Sequence, residues 1–162
     1  MKLLLDTNLL SRLCHPTLEA NRPLALWLKR LLADEQIQAR VYIPEIVDYE
    51  VRRGLLHVAL RSGRSTTKSL LRLDRLVESL HYLPLNTPTL RRAAGLWAET
   101  RAAEQPTAPR DALDGDVILA AQAIEIAGTV ATENVRHLSR FVPTVRWHEM
   151  PLGDEHRGTA KH

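Results

Sequence analysis

Four places in this chain carry acidic or amide oxygens in settings where they could do chemistry: Asp6, Glu50, Asp116 and the run Thr132-Glu133-Asn134. Asp6 has the clearest setting. Leu3-Leu4-Leu5 is apolar without period-two alternation, as in a strand covered on both faces, and Leu9, Leu10 and Leu13 then recur at helical spacing. Asp6 therefore stands at the carboxyl end of a buried strand. Ligands of open α/β sheets bind at that edge, and a carboxylate there can hold a hard cation that takes oxygen ligands. An aspartate in the same place is also an ordinary N-cap for the next helix. Asp6 alone does not choose between the two.

Spacing separates the three acids of the helix that Pro44 opens. At ~100° per residue Glu50 falls between Ile46 and Gly54 and close to Val47, whereas Glu45 and Asp48 share the opposite face with Arg52. A carboxylate on an apolar face needs a partner, because burying it unpaired is expensive. A salt bridge to a nearby arginine would satisfy Glu50, and so would a metal ion.

The segment Asp111-Ala112-Leu113-Asp114-Gly115-Asp116 reads as the acidic entrance to an apolar helix running from Asp116 to Ala127 and closed by Gly128. Asp116 shares a helical face with Ala120, Ala123 and Ala127, small residues that allow close approach to a sheet. Capping and the helix macrodipole explain Asp111 and Asp114 without any catalysis. Thr132-Glu133-Asn134 follows the strand Thr129 to Ala131 as Asp6-Thr7-Asn8 follows the first. Each site singly has a structural explanation. Jointly, acids on two strand ends and two adjoining helices point to convergence on one sheet edge.

Those positions need a parallel sheet to bring them together, and the chain alternates short β-rich runs with longer helical patterns accordingly. A helix is expected over Pro23 to Ala33, a strand over Arg40 to Ile43, and helical patterns from Pro44 to about Leu80 with a break near Ser62-Gly63. Tyr82 to Leu85 reads as a strand, Pro88 to Ala103 as a helix, Gln105 to Arg110 as a loop, and Val145 to Trp147 as the last strand. The expected architecture is a three-layer α/β/α domain with a central parallel sheet over residues 1–150. The polar tail, 151–162, is expected to be mobile.

At 162 residues the chain fits one domain, which buries roughly 68–70% of its unfolded surface. Its 44% hydrophobic and 25% charged residues suit a soluble globular protein, and no apolar stretch approaches the ~20 residues of a membrane helix. A cytoplasmic location is expected, since Asp6, Asn8 and Arg12 interrupt the apolar N-terminus before it reaches signal-peptide length. Cys14 is the only cysteine, so no internal disulfide forms, and it reads as a small packed residue. A net charge of +3 and a pI near 9.3 mildly favour an anionic partner. His15, His57, His81, His137 and His148 lack zinc-ligand spacing and read as surface or packed side chains.

The motifs resemble those of the PIN-domain ribonucleases, in particular the VapC-type toxins of bacterial type II toxin–antitoxin pairs. Leu3-Leu4-Leu5-Asp6-Thr7-Asn8 is similar to the family's first motif, Tyr49-Glu50-Val51-Arg52-Arg53-Gly54-Leu55 to its second, and Asp116-Val117-Ile118-Leu119-Ala120-Ala121-Gln122-Ala123 to its third. Thr132-Glu133-Asn134 resembles the last, with Asn134 where many members carry Asp and Leu138 in place of a frequent phenylalanine. The resemblance implies a PIN-like α/β/α fold and an acidic core of Asp6, Glu50 and Asp116. It makes Asn134 a neutral ligand or water anchor and Asp114 an outer-shell acid. It also implies Mg²⁺, with Mn²⁺ as substitute, RNA as substrate and an antitoxin protein as partner, with a homodimer as a further option.

Such a cluster would otherwise repel an anionic phosphodiester. Mg²⁺ reverses the local sign, polarises the phosphate and activates water. Because Mg²⁺ usually takes only one or two protein carboxylates, Asp6 and Asp116 are expected to ligate and Glu50 to orient the hydrolytic water. Arg52, Arg53 and Arg61 are the expected substrate-binding cations, with Arg64, Lys68, Arg72 and Arg75 further along the same segment. For Lys68, Arg72 and Arg75 a solvated helix face is the plainer reading. Two other functions fit parts of the pattern. A haloacid-dehalogenase-like phosphatase would want a second Asp where Asn8 stands, and a non-catalytic RNA-binding or interaction module would keep the fold without a working metal cage.

Overall fold

The computed structural model describes residues 1–15, 17–103, 110–150 and 152, the side chains of 110–112 excepted. Strand β1 (Lys2–Leu5) is central. Successive strand side chains point to opposite faces, yet Leu3, Leu4 and Leu5 are all 0% exposed, so helices cover both faces of the sheet. β1 pairs in parallel with β2 (Arg40–Pro44) and with β4 (Thr129–Thr132), and β3 (His81–Leu83) and β5 (Thr144–Arg146) add in parallel outside them. The sheet order is β3-β2-β1-β4-β5.

That order creates the binding edge. The chain builds outward from β1 through β2 to β3 and then returns to the other side for β4 and β5, so its connections diverge between β1 and β4. A crevice at the carboxyl ends is the consequence of such a switch point. In register Leu5 faces Ala131, and the Asp6 amide donates to the Ala131 carbonyl at 3.1 Å. Asp6 and Thr132 therefore leave the sheet side by side.

Helices α1 (Thr7–Leu13) and α2 (Arg22–Ala33) precede β2, and α3 (Glu45–Ser62) and α4 (Thr67–Ser79) precede β3. α5 (Thr87–Ala103) and α6 (Arg110–Glu125) precede β4, and the short α7 (Val135–Leu138) links β4 to β5. Single 3₁₀ turns cover Glu19–Asn21 and Trp147–Glu149. The helices and strands read from spacing are all present, with ends shifted by a few residues. The expected loop, apart from Arg110, and the expected tail, apart from Leu152, lie outside the described residues.

α6 differs from its sequence reading at both ends. It begins at Arg110, so Asp116 lies within the second turn and not at an acidic entrance, and capping does not explain it. Its small residues divide between two neighbours: Ala120 and Ala123 join the main core, and Leu113, Val117 and Ala121 pack with Ala93 of α5. Buried Gln122 donates to the Leu83 carbonyl at 2.7 Å and accepts from the Ile46 amide at 3.5 Å. One side chain thus ties α6 to the start of α3 and the end of β3.

At the other end Gly128 is not the left-handed residue. Ala127 is, at φ 50°, with its amide donating to Ile124 and the Gly128 amide donating to Ala123 in a Schellman pair. The glycine serves packing, because a methyl at 128 would overlap Leu4 Cδ1. Ala127→Gly should therefore stabilise the protein by about 0.5–1 kcal/mol, the left-handed strain relieved less the added chain entropy. Gly128→Ala should destabilise it. Urea midpoints would check both signs, and a destabilised Ala127→Gly protein would refute this account of the turn.

Candidate active site

Asp6 caps α1 and borders the crevice at the same time. Its backbone is extended, its Oδ1 accepts from the Leu9 amide at 2.8 Å, and the residue is 9% exposed. Burial raises its carboxyl above the ordinary range. Hydrogen bonds from the Thr132 hydroxyl and the Leu9 amide oppose the rise, and the charges of Glu133 and Asp116 add to it. Thr132 itself is buried and accepts from the Asn134 amide at 3.0 Å, so one hydroxyl ties Asp6 to the turn after β4.

Glu50 is half-buried in the second turn of α3. The Thr7 hydroxyl donates to its Oε2, and the backbone of α6 closes over its other oxygen, since a methyl at Gly115 would overlap Oε1. Asp116 follows directly. Burial raises its carboxyl, the charge of His137 lowers it, Glu50 raises it and Arg140 lowers it. Asn134 precedes α7 but makes no side-chain cap there; it is exposed and borders the same space. Asp6, Thr7, Glu50, Asp116, Asn134 and His137 line a single cavity of about 320 Å³, with Leu119 and Leu138 forming part of its apolar wall.

The donors are hard oxygens, which suits Mg²⁺ or Mn²⁺ better than zinc. Among the described residues no three His, Cys, Asp or Glu side chains are grouped closely enough to cage an ion alone. An octahedral ion that keeps several waters needs only one or two carboxylates, so the residues present fit it. Two carboxyls raised by burial would also gain from a nearby cation. The buried Cys14 thiol is pushed up to about 11 and is no nucleophile.

Other sequence candidates are placed elsewhere. Asp114 is exposed and lines a groove with Leu90, Trp97 and Val117, outside the cavity. Arg52, an expected substrate-binding cation, pairs with Asp48 at 3.0 Å and Asp74 at 2.9 Å and so joins α3 to α4. Nor is Glu50 the sole inward acid of α3. Glu45 accepts from the Leu85 amide at 2.6 Å, and Asp48 accepts from Tyr82 at 3.3 Å. Exposed Arg53 lies over the Tyr49 ring at 5.2 Å, and exposed Arg61 belongs to the last turn of α3.

Thr7, Gly115, Thr132 and His137 have places in the site that spacing did not assign. His137, read as surface or packed, is exposed and lines the cavity. The available signal was its position three residues past Asn134, with Arg136 and Arg140 beside it.

A sequence model of the PIN domain matches residues 3–141, most of the chain and all of these positions. The chain belongs to the PIN-domain family. No curated protein matches it. Among solved structures, this PIN domain is similar to a chain of VapBC2 from Rickettsia felis bound to a DNA fragment from their promoter, at TM-score 0.66 and 17% identity. It is similar to chains of FitAcB from Neisseria gonorrhoeae, at TM-score 0.63 and 24% identity, and of VapBC-1 from nontypeable Haemophilus influenzae, at 0.64 and 21%. Each alignment covers 91% of this chain and 99% of the other. At these identities what is shared is the fold.

A raised aspartate holds its proton more tightly folded than unfolded. Its contribution to stability is therefore complete below the ordinary value of 3.8 and is lost as pH rises through the raised folded value. Metal-free Asp116→Asn should be more stable than the parent at neutral pH, and the gap should close on acidification toward 3.8. Thermal melting in EDTA across pH would measure it. An Asp116→Asn protein that melts lower than the parent at neutral pH would overturn the electrostatic reading.

Proposed function

We propose that this PIN domain is a metal-dependent endoribonuclease acting on single-stranded RNA, and the toxin component of a toxin–antitoxin pair. The observation that supports it most is that Asp6, Glu50, Asp116 and Asn134, distant in sequence, line one cavity at the sheet's switch point. The family also favours it. The names VapBC2 and FitAcB on similar folds support the reading of a paired partner protein.

Bound Mg²⁺ would supply Lewis-acid stabilisation of the phosphate and a more acidic water. Asp6 and Asp116 are the residues to hold it, because burial raises both carboxyls and the charge of Asp116 reaches Asp6. Asp6 accepts from the Leu9 amide at Oδ1 and from the Thr132 hydroxyl, and a carboxylate has further lone pairs to offer an ion. Glu50, oriented by Thr7 and confined by Gly115, would accept a proton from an attacking water. Asn134 adds a neutral oxygen donor. His137, at the rim beside Asp116, is suited to meet a phosphate.

Purified protein should cleave single-stranded RNA with Mg²⁺ or Mn²⁺, lose the activity in EDTA, and lose at least about a hundredfold in Asp6→Asn and Asp116→Asn, since several kcal/mol of charge stabilisation go with the ion. Both variants should fold, and an asparagine can still cap α1. Full activity in EDTA would defeat the metal mechanism. Absence of cleavage by the intact protein with either metal would leave a non-catalytic RNA-binding module.

Gly115→Ala separates geometry from folding. The group it displaces is the end of a flexible Glu50 side chain, and alanine is the better helix former by up to about 1 kcal/mol. Melting temperature should hold or rise while cleavage falls at least about tenfold. Full activity in the Gly115→Ala protein would remove Glu50 from its assigned role.

A further inference from the structure

Beside the acidic cavity, a second polar cluster ties the turn after β4 to α1, and its centre is Arg12. Its Nη1 pairs with Glu133 Oε1, its Nε donates to Asn21 Oδ1 at 3.0 Å, and its Nη2 donates to the Ala20 carbonyl at 3.0 Å. Its guanidinium carbon stands 5.7 Å from the centre of the Trp147 ring, and Trp147 Nε1 donates to the same Glu133 oxygen at 3.0 Å. Asn21 is buried and held in turn by a 2.9 Å bond from its Nδ2 to the His15 carbonyl. The guanidinium fork is thus fixed on three sides, and a planar fork loses little further freedom in gripping a carboxylate.

Glu133 is set between two cavity residues. Thr132 before it bonds Asp6, and Asn134 after it borders the cavity without a cap bond to restrain its side chain. α7 has only four residues and cannot by itself anchor the turn. We propose that Arg12 is a positioning residue for the candidate metal site: by gripping Glu133 it determines where Asn134 stands beside Asp6 and Asp116. This rests on the nuclease reading for its consequence, though the clamp itself is independent of it.

Electrostatics and positioning predict opposite signs, which makes the idea testable. Removing a cation beside the site would by charge alone tighten divalent-metal binding. If Arg12 positions Asn134, the full-length Arg12→Ala protein should instead bind Mn²⁺ about tenfold more weakly, in the range for supporting groups around a metal site. Its melting temperature should fall modestly: the pair with Glu133 is partly exposed and contributes little, but buried Asn21 loses a donor. Amide exchange at Asn134 should quicken in the metal-free protein. The charge swap Arg12→Glu with Glu133→Arg should restore slow exchange and most of the Mn²⁺ affinity, whereas Glu133→Arg alone should not.

Mn²⁺ affinity by electron paramagnetic resonance, exchange by NMR and melting by circular dichroism would be compared across the set. Unchanged or tighter Mn²⁺ binding with unchanged exchange in Arg12→Ala would overturn the proposal, as would a folded charge-swap protein with neither property restored. If the parent protein bound no Mn²⁺ at all, the metal reading would fall. The exchange comparison would then decide the clamp alone.

Discussion

Everything at the site depends on a carboxylate being held at the end of a strand whose last three residues are fully buried. β1 is covered on both faces, so Asp6 emerges from the sheet with little solvent around it and with its amide still bonded to β4. Burial there raises a carboxylate's proton affinity, and hydrogen-bond donors offset part of the rise. Asp6 finds the Leu9 amide and the Thr132 hydroxyl, and these two bonds also hold α1 and the turn after β4 in place. The demand for satisfaction at one buried group therefore organises two elements.

The other acids approach because neutral groups make room for them. Gly115 brings the backbone of α6 against Glu50, the alanines of α6 allow it to lie close to the core, and Gln122 ties it to α3 and β3 without adding charge. The arginine ion pairs are partly exposed. Arg52 joins Asp48 and Asp74 across α3 and α4, and Arg12 joins Glu133, so both arginines connect elements. The cations with electrostatic reach to Asp116 are His137 and Arg140, on and just after α7.

The basic segment from Arg52 to Arg75 shows why side-chain roles were harder to read than elements. Counting charges along a helix says how many cations a face carries, but not which acids from another helix reach it; Asp74 lies 22 residues from Arg52 and neutralises it across an interface. The same blindness concealed His137, whose neighbours in the cavity come from the start of α1, from α3 and α6, and from the end of β4. An acidic run ahead of an apolar one reads as a helix entrance at Asp116, but α6 begins at Arg110 and Gly115 lies inside it against Glu50.

The class of fold was legible in the order of amino acids, and so was the convergence of Asp6, Glu50 and Asp116 on one sheet edge. Uninterrupted apolar runs in short strands, alternating with helical periodicity, leave few architectures besides a covered parallel sheet, and Asp6 is tied to β1 by adjacency alone. Glu50 and Asp116 were likewise legible as acids on otherwise apolar or small-residue faces. Their company was settled by the folded chain: Thr7 holds Glu50, Thr132 holds Asp6, Asp114 lines another groove and Arg12 reaches Glu133. Periodicity is a local property of one element. A hydrogen bond between elements depends on sheet order and helix placement, and these are fixed by packing the whole core.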